Sequence, residues 1–143
     1  MTSCCSIDSD GMGYCNLVTA ENTLETFDAY FKRLMKYYDE QQRKCVFWID
    51  NCKIHNHVKE MVAGTNHVVI FNAAYSAELN PIENIFGIWK NRIEKEMRLF
   101  TNIENFIKII SDSFEQISPE ECQRTFEHVR NVVWPKAFNR EDL

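Results

Sequence analysis

Apolar positions along this chain recur in two distinct patterns. Leu24, Phe27, Phe31, Leu34 and Tyr38 return every three or four residues, which lays them along one stripe of a helix. Thr23 with Thr26, or Asn22 with Glu25, opens that helix in the manner of a capping box. The charged run at 39–44 then reads as a solvated connection. Residues 45–49 and 68–71 are instead short, unbroken apolar runs. Such runs predict strands buried on both faces, and hence parallel and central. Between them, 57–63 predicts a short helix ended by Gly64. Upstream, 2–7 is compatible with a strand, Asp8-Ser9-Asp10-Gly11 is a turn signal, and 12–18 forms the second arm of a hairpin. Asp8 and Asp10 suit that turn because short acids bond their own backbone.

The second half of the chain is helical. Asn80 suits a helix N-cap, Pro81 the first helical position and Glu83 the third. Ile82, Ile85, Phe86, Trp89, Ile93 and Met97 share one face, with Lys90, Arg92, Lys95 and Arg98 on the others. Thr101 and Glu104 form a second capping box, ahead of Ile103, Phe106, Ile107, Ile110, Phe114 and Ile117. Ser118-Pro119-Glu120-Glu121 starts a third helix with Cys122, Phe126 and Val129 inward, and Trp134-Pro135 ends regular structure. The order is hairpin, helix, strand, short helix, strand, then three helices. This is an α/β chain with a mixed sheet.

At 143 residues, with 45% hydrophobic and 26% charged residues, the chain suits one globular domain over 1–143, with its C-terminal helices from about residue 81. No apolar run approaches the ~20 residues of a membrane helix, and no signal peptide is visible. The six cysteines form no Cys-x-x-Cys pair, so they read as reduced, mostly buried thiols of an intracellular protein. A net charge of -5 argues against a nucleic-acid-binding surface over the whole chain.

Two carboxylates stand where buried elements end. Asp50 closes the first apolar run, and Glu83 falls in the first turn of a helix. Fixed acids from different elements are what a divalent metal site needs. Spacing alone equally allows Glu83 to close a capping box on Asn80, and Asp50 to bond a loop backbone.

A longer set of residues surrounds these acids: Asp50-Asn51 with His55, Tyr75-Ser76, Leu79-Asn80-Pro81-Ile82-Glu83-Asn84, and Trp89-Lys90. This set resembles the catalytic domain of mariner-like DDE transposases, which share the RNase H-like fold with retroviral integrases. The resemblance runs from about Ser3 to at least Val132, nearly the whole chain. It implies that Asp50 and Glu83 are catalytic acids, the second and third of a metal-binding triad. Asn51, His55 and Asn80 would support them, with His55 either catalytic or bridging loop to strand. Lys90 and Arg92 read either as contacts to the DNA backbone or as solvated helix charges. The implied cofactor is a pair of Mg2+ or Mn2+ ions, and the implied activity is metal-dependent DNA cleavage and strand transfer in transposition.

The chain departs from the family pattern in three ways. Ala73, Ala74 and Ala77 stand where prolines are usual, the interval between Asp50 and Glu83 is slightly short, and the family's first acid lies on a strand upstream of the hairpin. The expectation is therefore an RNase H-like sheet without its first, central strand, in an N-terminally truncated domain. Such a chain would bind DNA weakly in isolation. The gap would be closed by the hairpin itself, by a second copy or by another chain. The alternative function is a catalytically inactive protein-interaction module that keeps the fold. The location would be intracellular, and nuclear in a eukaryotic source, with no membrane association.

Overall fold

Thr23 and Thr26 hold the first turn of the longest helix. The Thr23 N–H donates to the Thr26 hydroxyl over 2.8 Å, and the Thr26 N–H donates back to Thr23 Oγ1 over 3.3 Å. The computed structural model describes residues 2–8, 10–18, 23–53, 57–97 and 102–139. They fall into two compact units, Met1–Ser6 with Tyr14–Asn80, and Ile7–Gly13 with Pro81–Leu143.

In the first unit, strands β1 (Thr2–Asp8) and β2 (Gly11–Val18) form a hairpin whose outer end belongs to the second unit. Helix α1 (Leu24–Glu40) buries Phe27, Tyr30, Phe31, Leu34 and Tyr38, which is the stripe expected from the sequence. These side chains join Cys4, Phe47, Val58 and Val62 in one core. Phe31 meets Phe47 edge to face at 5.0 Å. Each such buried ring is worth about 1.5–3 kcal/mol. The Tyr30 hydroxyl donates to the Tyr14 carbonyl over 3.1 Å, and burial pushes its phenol pKa far up.

Strands β3 (Val46–Ile49) and β4 (Val68–Phe71) pair in parallel, with Val46 opposite Val68 and Trp48 opposite Ile70. Helix α2 (Val58–Val62) connects them, and Gly64 beyond it takes φ +79. The pairing is as expected, but the burial is not. Phe47 is buried, and Ile49, Val69 and Phe71 pack against the core from the same face. On the other face Val46, Trp48, Val68 and Ile70 are 60%, 36%, 45% and 46% exposed. The core of this unit covers only one side of the pair, so an unbroken apolar run here leaves half its side chains in water. The two strand pairs also stay separate. Among the described residues there are two two-stranded sheets in place of one mixed sheet, since no described strand bridges them. The hairpin has not closed onto β3.

Cys5 and Cys15 stand opposite each other across the hairpin, because antiparallel pairing brings together residues ten apart in sequence. Cys4 and Cys122 are buried thiols whose pKa values burial raises.

In the second unit, α3 (Pro81–Glu96) buries Ile85 and Trp89. The Trp89 indole N–H donates to the Ile110 carbonyl at 3.2 Å and to Ser113 Oγ at 3.0 Å, both on α4 (Ile103–Glu115). The Ser113 hydroxyl donates to the Ile110 carbonyl at 3.0 Å, which lets a polar residue occupy the buried face. That face is Ile109, Ile110 and Ser113, while Ile103 and Ile107 are exposed, a rotation from the expected stripe. The N-cap of α4 is Asn102, accepting from the Asn105 N–H at 2.8 Å, and the expected Thr101 lies outside the described residues.

Helix α5 (Pro119–His128) starts where expected, and with a capping box: the Ser118 N–H donates to Glu121 Oε2 at 3.0 Å, and the Glu121 N–H to Ser118 Oγ at 3.3 Å. Gly11 in the hairpin turn takes φ +136, and any Cβ there would sit 3.3 Å from Pro119 Cγ, so only glycine suits the position. Regular structure does not end at Trp134-Pro135. A π turn, Val129–Val133, leads into α6 (Trp134–Asn139), with the Trp134 N–H donating five residues back to Val129. That widening puts Pro135 in the first turn of a new segment, where its missing N–H costs little.

Candidate functional site

The first of the two acids singled out by the sequence stands at the C-terminal end of β3. Asp50 follows the strand and is half-buried, and the Cys52 N–H donates to its carbonyl over 2.9 Å in a tight turn. Asn51, Cys52 and Lys53 are exposed, and His55 lies outside the described residues.

The segment after β4 returns to the same strand end twice. The Asn72 N–H donates to the Ile49 carbonyl over 2.8 Å, continuing the parallel ladder by one step. Eight residues later, Asn80 Nδ2 donates to Asp50 Oδ1 over 3.1 Å. Asn80 is buried, and its extended backbone (φ -100°, ψ 115°) is that of a residue entering a helix. Within the loop, Asn72 Nδ2 donates to the Ser76 carbonyl, and the Ser76 hydroxyl to the Ala74 carbonyl over 3.3 Å. A single 3-10 turn, Ala77–Leu79, completes it. Asn72 and Asn80 thus fasten both ends of one loop to consecutive residues, Ile49 and Asp50.

Glu83 sits in the first turn of α3, in the second unit, and is half-buried. Lys90 is exposed and lies 3.9 Å from Glu94, one turn along. Arg92 behaves differently from Lys90. Its Nη2 donates to Glu121 Oε1 over 2.6 Å, and its side chain is only 24% exposed. The Arg92 guanidinium, followed by the Ser118 backbone N–H, holds the Glu121 carboxyl below the usual carboxylate range. Arg92 is therefore committed within its own unit, because residue 92 falls on the side of α3 that meets α5, and Lys90 is the cation that faces solvent.

Two features had no counterpart in the sequence reading. Asn72 gave no signal, because a lone asparagine after an apolar run looks like any loop residue. His67 is buried between two partners. Its Nδ1 accepts the Cys45 N–H at 3.2 Å, so the Nε2–H faces Asp39 Oδ1 at 3.1 Å, which fixes the tautomer. This pair stands at the N-terminal end of the strands, away from Asp50, and ties α1 to β4.

As a donor set, Asp50 offers hard carboxylate oxygen with an amide on one side, which fits Mg2+ or Mn2+ better than a softer metal. Among the described residues, no three His, Cys, Asp or Glu side chains come together as a metal cluster. Among the same residues, no helix is long and apolar enough to cross a membrane.

The family profile of the DDE superfamily endonuclease matches residues 4–107. No curated protein matches the chain. Among solved structures, it is similar to the crystal structure of the Mos1 strand transfer complex, with a TM-score of 0.70 and 20% sequence identity. The similarity covers 94% of this chain and 40% of that one, so this chain spans well under half the length of its structural relative. At this identity the likeness establishes the fold, a mixed α/β arrangement with small sheets and flanking helices.

Proposed function

Because the chain belongs to the DDE superfamily endonucleases, we propose that residues 1–143 carry part of an RNase H-like catalytic domain of mariner-like transposase type, acting in metal-dependent cleavage and joining of DNA strands. Asp50 and Glu83 are the acids assigned to metal binding and catalysis. Asn80 supports Asp50 directly, Asn51 and His55 flank it, and Lys90 is assigned to DNA phosphates. With DNA as substrate, the chain works inside the cell, in the nucleus of a eukaryote.

The observation that supports this reading most is the hydrogen bond from Asn80 to Asp50. Both residues belong to the strings that carry the family resemblance, and both lie within the matched residues. An amide N–H fixes the rotation of a carboxylate without cancelling its charge, whereas a lysine or arginine in the same place would compete with a cation. The Asn80 amide therefore orients Asp50. When bound, a pair of Mg2+ or Mn2+ ions supplies activation of the attacking oxygen and stabilisation of the leaving one. The protein's own part is to hold the Asp50 carboxylate in one orientation through Asn80.

Titration with Mn2+, followed by the loss of the free-ion EPR signal, tests this assignment. Asp50→Ala and Glu83→Ala should each weaken binding at least about tenfold, the loss that removing even a residue supporting a ligand brings. Unchanged affinity in both variants overturns it.

A second reading, a partner-binding module that keeps the fold, is favoured by the uncovered face of Val46, Trp48, Val68 and Ile70. A contiguous apolar patch of this kind marks interaction surfaces, and both a second copy and a chain adding a strand suit it. Absence of Mn2+ binding together with concentration-dependent association would favour that reading.

A further inference from the structure

Tyr75 stands at the tip of the loop fastened to Ile49 and Asp50. Its side chain is fully in water, with a relative exposure of 106%. Its backbone takes φ +58, the left-handed region that bulky side chains avoid. A strained backbone persists only where its surroundings over-determine it. Here they do: the Asn72 side chain grips the Ser76 carbonyl, and the Ser76 hydroxyl grips that of Ala74. Core packing does not account for a ring that touches no core.

The composition of the loop narrows what the ring can meet. Ala73, Ala74 and Ala77 beside it are small and exposed, so neighbours leave both ring faces open. From Asn72 to Asn80 there is no lysine or arginine, and the one charge is Glu78, an acid. Such a loop offers no cation to a phosphate, so the open faces of the ring are the contact it presents. A planar partner suits those faces. The tip is three residues from Asn72, which bonds to the strand end, so its Cα lies within about 11 Å of the Asn72 Cα.

We propose that Tyr75 is a stacking platform for an unpaired nucleobase beside the Asp50–Asn80 site. The inference rests on the reading of this chain as a DNA-acting domain and adds to it a contact that tells unpaired from paired DNA. A base inside a duplex already stacks on its neighbours. Only an unstacked base offers a free face to a fixed aromatic ring, and every base has such a face, so the contact discriminates strand state rather than sequence.

The test uses the full chain at low ionic strength, with a short single-stranded oligonucleotide bearing one 2-aminopurine, and with the same sequence as a fully paired duplex. Wild type should quench 2-aminopurine fluorescence in the single strand. Tyr75→Ala should abolish the quenching and raise the Kd for the single strand about 5- to 150-fold, while Tyr75→Phe and Tyr75→Trp keep it, and the duplex Kd stays within about twofold in all variants. The inference is overturned if wild type binds neither DNA or quenches nothing, if Tyr75→Ala weakens both DNAs equally or neither, or if Tyr75→Phe fails to restore binding. A ring that serves a protein partner gives the equal-binding outcome. Glu83→Ala, which lies outside the fastened loop, should in the same assay retain the quenching while weakening Mn2+ binding. Quenching without any Mn2+ response sinks the metal assignment alone, and an Asp50-dependent Mn2+ response without quenching sinks this inference alone.

Discussion

Asn80 donates its side-chain N–H to Asp50 across 3.1 Å, although thirty residues separate the two in sequence. The bond closes the loop after β4 onto the end of β3 and sets the orientation of the acid. Asn80→Ala should cost about 1.5–3 kcal/mol, since the lost bond is to a charged group, read as a lower urea midpoint with an unchanged slope. A cycle with Asp50→Asn should show a coupling of at least about 0.5 kcal/mol. Additive effects would mean that the two side chains do not support each other.

Arg92 and Glu121 give the chain a pH-dependent contribution. The Glu121 carboxyl is held below its ordinary range by Arg92 first and by the Ser118 N–H as well. A depressed folded-state pKa gives stability that is fully present above the unfolded value, near 4.3, and is lost as pH falls through the folded value. Glu121→Gln should therefore cost about 1.5–3 kcal/mol at pH 7, partly because Arg92 Nη1 is already buried without a hydrogen-bond partner. The gap between variant and wild type should shrink as pH drops below about 4.3. A gap that is flat from pH 7 to acid would show that the pair adds nothing.

Gln42 ends α1 with φ +56, and its N–H donates to the Asp39 carbonyl over 2.9 Å. That is the left-handed position where glycine is favoured after a helix. Gln42→Gly should raise stability by about 0.5–1 kcal/mol, the usual gain from relieving a left-handed side chain less the added freedom of the unfolded chain. Thermal unfolding is the measurement, and a lower midpoint would contradict the account.

Local features were the ones legible in the sequence. The Thr23–Thr26 and Ser118–Glu121 boxes sit within four residues, so composition alone specifies them. The α1 stripe was equally clear. The start of α4 slid by one residue because Thr101 and Asn102 are both good caps, and the Asn105 N–H donates to the Asn102 side chain. Long-range facts were not legible. An unbroken apolar run does not say which face will be covered, and so Val46 and Trp48 were expected inside. The Cys5–Cys15 pairing depends on hairpin register. Arg92 looked like a free surface cation until its partner, twenty-nine residues on, came into view. At the candidate site, the positions of Asp50 and Asn80 followed from a recognisable string. The role of Asn72 and the left-handed backbone of Tyr75 run against local propensity and appear only in three dimensions.

The central claim is that Asp50, oriented by Asn80, holds a divalent cation. Iron(II) in place of magnesium, with ascorbate and peroxide, generates radicals that cut the polypeptide beside the bound ion. The account predicts cleavage next to Asp50 that Mg2+ or Mn2+ competes away, that Glu83→Ala weakens and that Asp50→Ala removes. Cleavage confined to other parts of the chain, or cleavage at Asp50 that survives Asp50→Ala, would contradict it.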